Sequence, residues 1–153
     1  MGSAMLAGGL VLLLAGCAGT MSSSGAPVSV EQARALWSEQ GKSSYSYSLR
    51  QQCYCPEDHL QSVRVTVISG QVDSVQPLCT GGQLPEALRQ AGRTMPAWFD
   101  YIDRHRQRKS GRVEVSFHPE TGYPARIHVD RHTMISDDEV TWHLGELEAL
   151  PDA

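Results

Sequence analysis

Residues 43–55 read SSYSYSLRQQCYC, and this stretch decides the kind of fold that the chain can form. Large apolar side chains recur at alternate positions, and polar side chains lie between them. A period of two indicates a β-strand with one buried face and one face toward water. The buried face carries Tyr45, Tyr47, Leu49, Cys53 and Cys55, and the other face carries Ser46, Ser48, Arg50 and Gln52. Such a strand needs a covering layer on its aromatic side.

The segment before this strand predicts a helix that can supply the layer. Ser29 and Gln32 have the spacing of a capping box, and apolar residues then recur at helical spacing as far as Trp37. Gly41 follows, which is typical of the position just after a helix end. The order at the start of the domain is therefore helix and then strand.

Two more strands are predicted after the first one. Val63–Val67 alternates with polar residues, and a turn at Ser69–Gln71 leads into a short third strand through Val72 and Val75. The odd spacing of these last two valines suggests a β-bulge. Residues 77–92 are rich in Gly, Pro and Gln and are interpreted as a loop.

The second half of the chain repeats this order. Thr94 is a candidate N-cap for a helix that ends near Gln107. Its apolar stripe is Met95, Trp98, Phe99 and Ile102. The next three strands are marked by Val113, Val115 and Phe117, by Ala125, Ile127 and Val129, and by Val140, Trp142 and Leu144. The sequence predicts an antiparallel α+β fold in two helix-plus-three-strand halves, with the helices on the apolar sheet face. One sheet or two sheets both fit the pattern.

The start of the chain carries a different kind of signal. Residues 13–17, Leu-Leu-Ala-Gly-Cys, close a short apolar run and resemble the lipobox of bacterial lipoproteins. The apolar run over residues 5–15 is shorter than the roughly 20 residues that a membrane-spanning helix needs. The resemblance implies cleavage after Gly16, so that Cys17 becomes the first residue and carries acyl chains.

This interpretation divides the chain into a signal peptide at residues 1–16, a lipidated flexible tether at 17–28 and a single α+β domain at 29–150. The tether is composed mainly of small and polar residues that cannot bury enough apolar surface to fold. The protein is expected in the cell envelope, anchored to a membrane by lipid. Ala18 in place of aspartate favours the outer membrane, facing the periplasm, if the source is Gram-negative.

Several motifs together resemble an uncharacterised family of bacterial lipoproteins that is known only as a domain of unknown function. The motifs are Cys53-Tyr54-Cys55 after the tyrosine-rich strand, Val65-Thr66-Val67 running to Gly70, Gly122-Tyr123-Pro124, Asp130, and Asp137-Asp138-Glu139. The resemblance covers the chain from Trp37 to about Leu147. It implies an exported α+β domain and assigns no catalytic residue.

Charge excludes one class of partner. The chain has a net charge of -4, and nucleic-acid binding depends on an excess of Lys and Arg, so no nucleic-acid partner is expected. Cationic residues nevertheless concentrate between positions 104 and 112. We interpret this run as a solvated helix end whose cations complement the helix dipole; contact with acidic headgroups or an acidic protein is the alternative.

Cysteine pairing follows from the expected compartment. With Cys17 lipidated, three thiols remain under oxidising conditions, which predicts one disulfide. If the first three strands form a meander, Cys79 returns to the end of the sheet where the first strand finishes. The favoured bridge is Cys55 to Cys79, and the alternative is Cys53 to Cys79.

Residue types suggest three candidate metal sites. Cys53, Cys55, His59 and Cys79 could hold Zn²⁺ or Cu(I), although two cysteines of a straight C-x-C strand lie about 7 Å apart, too far for one tetrahedral ion. His118, His128 and His143 share the outward face of the last strands, but the register places His128 beside Glu114 and Thr141, and His143 beside Arg126 and Ser116. Asp130, Asp137 and Asp138 could bind Ca²⁺ through their oxygens, but they lack the spacing of an EF-hand loop. We expect these aspartates to have roles in turns and caps. No metal or other cofactor is expected.

The chain contains no sequence motif for hydrolysis, phosphate binding or metalloprotease chemistry. The sequence therefore favours a non-enzymatic envelope lipoprotein that presents a sheet face, or the segment 77–92, to another envelope protein. One alternative is a cysteine-based metal or redox module. Another is a small-ligand carrier or inhibitor that uses Tyr45, Tyr47, Trp98 and Trp142, although aromatic residues at inward positions are typical of a core.

Overall fold

The structure, a computed structural model, describes residues 27–79, 83–135 and 137–151 of the chain. The predicted signal peptide, Cys17 and most of the predicted tether lie outside these ranges. The helices are α1 (Val30–Glu39), α2 (Glu86–Ala91) and α3 (Met95–Arg106), with a short 3-10 helix at Glu57–Leu60. The strands are β1 (Tyr45–Cys53), β2 (Val63–Ile68), β3 (Gln71–Pro77), β4 (Arg112–Phe117), β5 (Pro124–Asp130) and β6 (Glu139–Ala149).

The strands form one antiparallel sheet in the order β3-β2-β1-β6-β5-β4. Each predicted group of three strands is a meander, and the two meanders join where β1 pairs with β6 along its length, from Tyr45 opposite Ala149 to Cys53 opposite Val140. The α+β class and the two helix-plus-three-strand halves are confirmed, and the strands form a single sheet.

Helices α1 and α3 begin where the capping residues indicate. Ser29 Oγ accepts a hydrogen bond from the Gln32 backbone N–H at 3.1 Å, and Thr94 Oγ1 accepts one from the Ala97 N–H at 3.3 Å. Each bond satisfies an N–H that the first helical turn leaves without a partner. Among the helices of the described ranges, none is both long enough and apolar enough to cross a bilayer.

The sheet contains three register shifts, one of them between β4 and β5 after Ser116, and the other two accompany unusual backbone conformations. The predicted bulge between β2 and β3 is present. Thr66 pairs with Ser74, but the next residue, Val67, pairs with Val72, so one extra residue of β3 lies between the two pairs. Ser69 and Gly70 between these strands have φ values of 49° and 76°, as a two-residue type I′ hairpin turn requires. A second bulge lies in β6, where Glu146 has a φ of 48° opposite the β1 segment between Ser46 and Ser48.

The segment 77–92 differs from its prediction as a loop, because it contains helix α2. Its six residues follow Pro85, and Leu88 is fully buried. A helix this short is unstable alone in water, so burial against the sheet stabilises it. Gly92 ends the segment so close to β3 that an added Cβ would lie 2.5 Å from Val75 Cγ2.

The core lies between the apolar sheet face and the helices. Two buried tyrosines of β1 anchor the start of α3: Tyr45 Oη accepts from the Met95 N–H at 2.8 Å, and Tyr47 Oη accepts from Trp98 Nε1 at 2.9 Å. Tyr47 Oη also donates to the Arg93 carbonyl and accepts from the Arg93 N–H. Because buried polar groups need partners, these bonds fix α3 over the centre of the sheet.

Arg93 is held among aromatic rings at the same place. Its guanidinium carbon lies 4.7 Å from the centroid of Trp98, 5.0 Å from that of Tyr101 and 6.0 Å from that of Trp142. Partial burial lowers the pKa of Arg93 below its ordinary value. The aromatic residues that the sequence offered as a small-ligand surface, including the fully buried Tyr47 and Trp98, are thus packed against one another and against Arg93 in the core.

Candidate functional site on the open face of the sheet

The second face of the sheet is polar, and the apolar side chains of the strands point to the core on the other side. Along β1, Arg50 and Gln52 are exposed on it, while Tyr47 and Leu49 are buried on the core side. The same alternation continues through β6 and β5. The face carries Ser46, Ser48, Arg50, Gln52, Arg64, Thr66, Thr141, His143, Arg126, His128, Glu114 and Ser116. We call this surface the open face.

Three cationic or titratable side chains form a row across the centre of the open face. Arg50 on β1 lies opposite His143 on β6, and His143 lies opposite Arg126 on β5. Side chains on one face of neighbouring strands stand about 5 Å apart at Cβ, and like charges in such positions repel. Partial burial lowers the pKa of His143 below its ordinary value, and Arg126 and Arg50 lower it further. We call these three residues the cationic row.

The row is notable for its lack of carboxylates. Elsewhere on the sheet, Arg64 Nη2 lies 3.4 Å from Glu146 Oε2, and Arg112 Nη2 lies 2.8 Å from Glu114 Oε1. Within the described ranges, neither Arg50 nor Arg126 makes an ion pair. Two unpaired arginines on either side of His143, about two strand spacings or roughly 10 Å apart, leave a local surface suited to an anionic group in an acidic chain.

A depression of about 350 Å³ adjoins one end of the cationic row. Its lining residues are Gln52, Cys53, Tyr54, Arg126, His128, Asp137, Glu139 and Thr141. Arg126 belongs to both the row and the depression, whereas Asp137 and Glu139 supply carboxylates to the depression alone. Tyr54 is 86% exposed there. The depression is therefore mixed in charge and has an aromatic side chain at its edge.

The histidine register agrees with the sequence prediction. His128 lies opposite Glu114 and Thr141, and its Nδ1 is 2.9 Å from Thr141 Oγ1; Arg126 lies between His143 and Ser116. The ring of His118 instead meets Thr121 Oγ1 at 3.1 Å in the β4–β5 turn. The three histidines therefore stand at separate positions. In the described ranges, no group of three His, Cys, Asp or Glu residues could hold a metal ion.

The disulfide prediction is wrong in its pairing. Cys53 is bonded to Cys55, and Cys79 is free and exposed, so neither the favoured Cys55–Cys79 bridge nor the Cys53–Cys79 alternative forms. β1 ends at Cys53 and the chain bends, which brings the two α-carbons to 5.3 Å. Cys79 follows β3, and β2 lies between β3 and β1. The distance from β3 to β1 is therefore about two strand spacings, or roughly 10 Å, which is beyond the reach of a disulfide.

This bridge has two consequences. It removes Cys53 and Cys55 as thiolate ligands, so the four-residue metal set with His59 and Cys79 is not assembled in the structure. It also closes a loop of only three residues, for which the chain-entropy relation gives about 1.6 kcal/mol of stabilisation, about half the value for a 15-residue loop. The bridge is thus a weak source of fold stability.

The matching family covers most of the chain. The profile described as "Family of unknown function (DUF6174)" matches residues 29–149. The chain belongs to the DUF6174 family. Neither the curated proteins nor the solved structures contain a significant match to it. In this DUF6174 domain, both the cationic row and the depression lie inside the matched range.

Asp138, one of the three candidate aspartates, has structural partners. Asp138 accepts from Arg131 at 3.2 Å and lies 2.6 Å from His132, and the bond with His132 is the main reason why the pKa of Asp138 is lowered. These contacts close the β5–β6 loop of the DUF6174 domain and give Asp138 the turn role expected from the sequence, whereas Asp130 lies in β5 with its Oδ1 buried and without a hydrogen-bond partner in the described chain.

The cationic run at the end of α3 is mostly solvent-exposed, as predicted, with one exception. Its exposed members are Arg104, Arg106, Arg108, Lys109 and Arg112. Arg106 Nη1 lies 3.4 Å from Glu31 Oε1, an exposed ion pair that contributes little. His105 is buried, with its ring centroid 4.4 Å from that of Tyr101. Burial is the main reason why the pKa of His105 is lowered, and the surrounding arginines lower it further.

Proposed function

We propose that the chain is a lipid-anchored lipoprotein of the bacterial cell envelope, and that its open face binds an acidic segment of another envelope protein without catalysing a reaction. The observation that supports the binding role is the cationic row, with Arg50 and Arg126 exposed and unpaired in the described part of the chain. The lipobox-like residues 13–17 support the anchor.

Charge argues for an acidic segment as the ligand. Arginine binds carboxylates in a bidentate manner, and such bonds are stronger than those between neutral groups. A carboxylate placed over the row would be attracted by both arginines, which flank His143. The chain is acidic overall, and the exposed cations at the end of α3 do not line the depression, so the proposal places the acidic segment on the open face.

Reversing the charge of the row is expected to abolish partner binding. The double variant Arg50→Glu plus Arg126→Glu should reduce photo-crosslinking from position 54 at the edge of the depression by about tenfold or more, since charge-assisted contacts are each about 1.5–3 kcal/mol. Stability should change by less than about 1 kcal/mol, because both side chains are exposed. Crosslinking in intact cells, followed by identification of the captured protein, provides the measurement.

Arg104→Glu plus Arg108→Glu is the matched control. These arginines are also exposed and the net charge changes equally, but they lie at the end of α3 and not on the open face. The control should crosslink as the wild type does. Equal loss in both double variants would show a general charge effect and contradict docking on the row.

The anchor makes a separate prediction. Labelled palmitate should be incorporated into the wild-type protein, and Cys17→Ser should lose at least about 90% of the label, because acylation requires the thiol at this position. Cys79→Ser is the control and should keep the label. Full labelling of Cys17→Ser, or a wild-type protein found without label and with residues 1–16 intact, would contradict the anchor.

A further inference from the structure

We propose that the Cys53–Cys55 disulfide undergoes thiol–disulfide exchange with protein thiols that enter the depression, with Cys53 as the sulfur that is attacked and Cys55 as the leaving group. This activity is separate from the non-catalytic docking proposed for the cationic row, and it does not depend on the row or on the lipid anchor. It rests on the position of the bridge, the asymmetry between its two sulfurs and its small contribution to stability.

The position of the bridge gives access to a thiol. The pairing of β1 with β2 reaches only Leu49 opposite Val63, so the last residues of β1 are paired only with β6. Both cysteines are partly exposed, and Tyr54 between them is 86% exposed. The bridge therefore lies at a projecting end of the sheet, beside a depression large enough for a few side chains of a partner.

The two sulfurs have different surroundings. Cys53 lines the depression, whereas Cys55 is not among its lining residues. Gln51, which is buried on the core side, directs its Nε2 amide toward Cys55 Sγ at 4.0 Å. A disulfide sulfur is a weak acceptor, but a thiolate is charged, so this contact strengthens as Cys55 leaves. A better-stabilised leaving thiolate departs faster.

The exchange balances in two steps. A thiolate of the partner attacks Cys53 Sγ, the Cys53–Cys55 bond breaks, a mixed disulfide forms at Cys53, and Cys55 leaves as a thiolate that takes a proton from water. Cys55 can then attack the mixed disulfide and restore the bridge. Alternatively, a second thiolate of the partner attacks its own mixed-disulfide sulfur, so the partner is oxidised to a disulfide and Cys53 and Cys55 become a dithiol.

The experiment uses the full chain with Cys79→Ser, to remove the free exposed thiol, and reduced glutathione as the probe. Samples are quenched in acid at short times, free thiols are alkylated, and mass spectrometry locates the glutathione. In the folded protein, adducts at Cys53 should exceed those at Cys55 by about tenfold, because among the described residues a side-chain donor faces the Cys55 sulfur and none faces the Cys53 sulfur. The same chain unfolded in urea should show no such preference.

Gln51→Leu tests the amide, with Gln76→Leu on the exposed edge strand as the matched control. Gln51→Leu should slow the reaction by about tenfold and reduce the preference for Cys53, and the control should do neither. Adducts shared equally or concentrated at Cys55 would overturn the proposal, as would slower reaction of the folded than of the unfolded bridge. If Gln51→Leu does not fold, the adduct ratio of the parent protein decides alone.

Discussion

Gly122→Ala is expected to lower the free energy of unfolding by about 3 kcal/mol, because two costs coincide at this position. Gly122 has a φ of 77°, which an alanine rarely adopts. An added Cβ would also lie 2.4 Å from the Ala33 carbonyl oxygen and 3.1 Å from Leu36 Cβ. Ala33 is fully buried in α1, so the helix has to move away from the β4–β5 turn.

Gly41→Ala separates these costs. Gly41 has a similar φ of 60°, but no atom lies within 4 Å of its added Cβ. The Gly41→Ala variant should lose only about 1 kcal/mol of its free energy of unfolding, which is the cost of the backbone conformation. Urea denaturation of both variants gives the comparison. Equal losses would mean that the turn separates freely from α1 and that the close approach contributes nothing to stability.

Local patterns in the sequence were sufficient to predict most secondary structure. Ser29 and Thr94 begin helices as predicted because N-caps act through hydrogen bonds within four residues. The pairing of His128 with Glu114 and Thr141 was predicted because short turns fix the register of neighbouring strands. Helix α2 was missed because its stability comes from burial of Leu88 and not from its own six residues.

The candidate site was not predictable to the same extent, since it depends on contacts between distant segments. The alternation of β1 and β6 shows which side chains share a face but not that the two strands pair, so the row of Arg50, His143 and Arg126 was not visible. The cysteine pairing failed for a related reason. A meander does place Cys79 at the correct end of the sheet, but β2 separates it from β1.

The first strand carries one more sequence signal of the site. Gln51 occupies an inward position in the alternation of β1, between Leu49 and Cys53, and the structure buries it. A glutamine at a core position needs hydrogen-bond partners, so it marks a place where the core contains polar chemistry. The inward position of Gln51 therefore indicates a polar site near Cys55, and this prediction does not require knowing which strands pair.

Tyr47→Phe is expected to lower the free energy of unfolding by about 3 kcal/mol, although it removes a single oxygen. Tyr47 Oη accepts from Trp98 Nε1 at 2.9 Å and from the Arg93 N–H at 3.2 Å, and it donates to the Arg93 carbonyl oxygen. Removing the hydroxyl leaves these groups without this partner, in a region where Trp98 is fully buried. Urea denaturation followed by tryptophan fluorescence measures the loss.

Tyr45→Phe is the matched control, since Tyr45 is the neighbouring buried tyrosine of β1. Its hydroxyl accepts only the Met95 N–H among the described contacts, at 2.8 Å. The expected loss is about 1 kcal/mol, the usual value for one hydrogen bond. Losses of equal size in the two variants would mean that the contacts of Tyr47 with Arg93 and Trp98 are not what stabilises α3 on the sheet.

The effect of Tyr47→Phe should also depend on pH. Burial raises the pKa of Tyr47 to about 12, whereas tyrosine in an unfolded chain has a pKa of about 10. Below about pH 10 the phenol is neutral in both states, and its stabilisation is fully present. Between about pH 10 and 12 only the unfolded state ionises, so the wild type loses up to about 2.7 kcal/mol, while the phenylalanine variant avoids this loss. The difference in free energy of unfolding between the wild type and Tyr47→Phe should therefore decrease steadily across this pH window. A difference that stays constant would show that Tyr47 ionises as readily in the folded protein as in the unfolded chain.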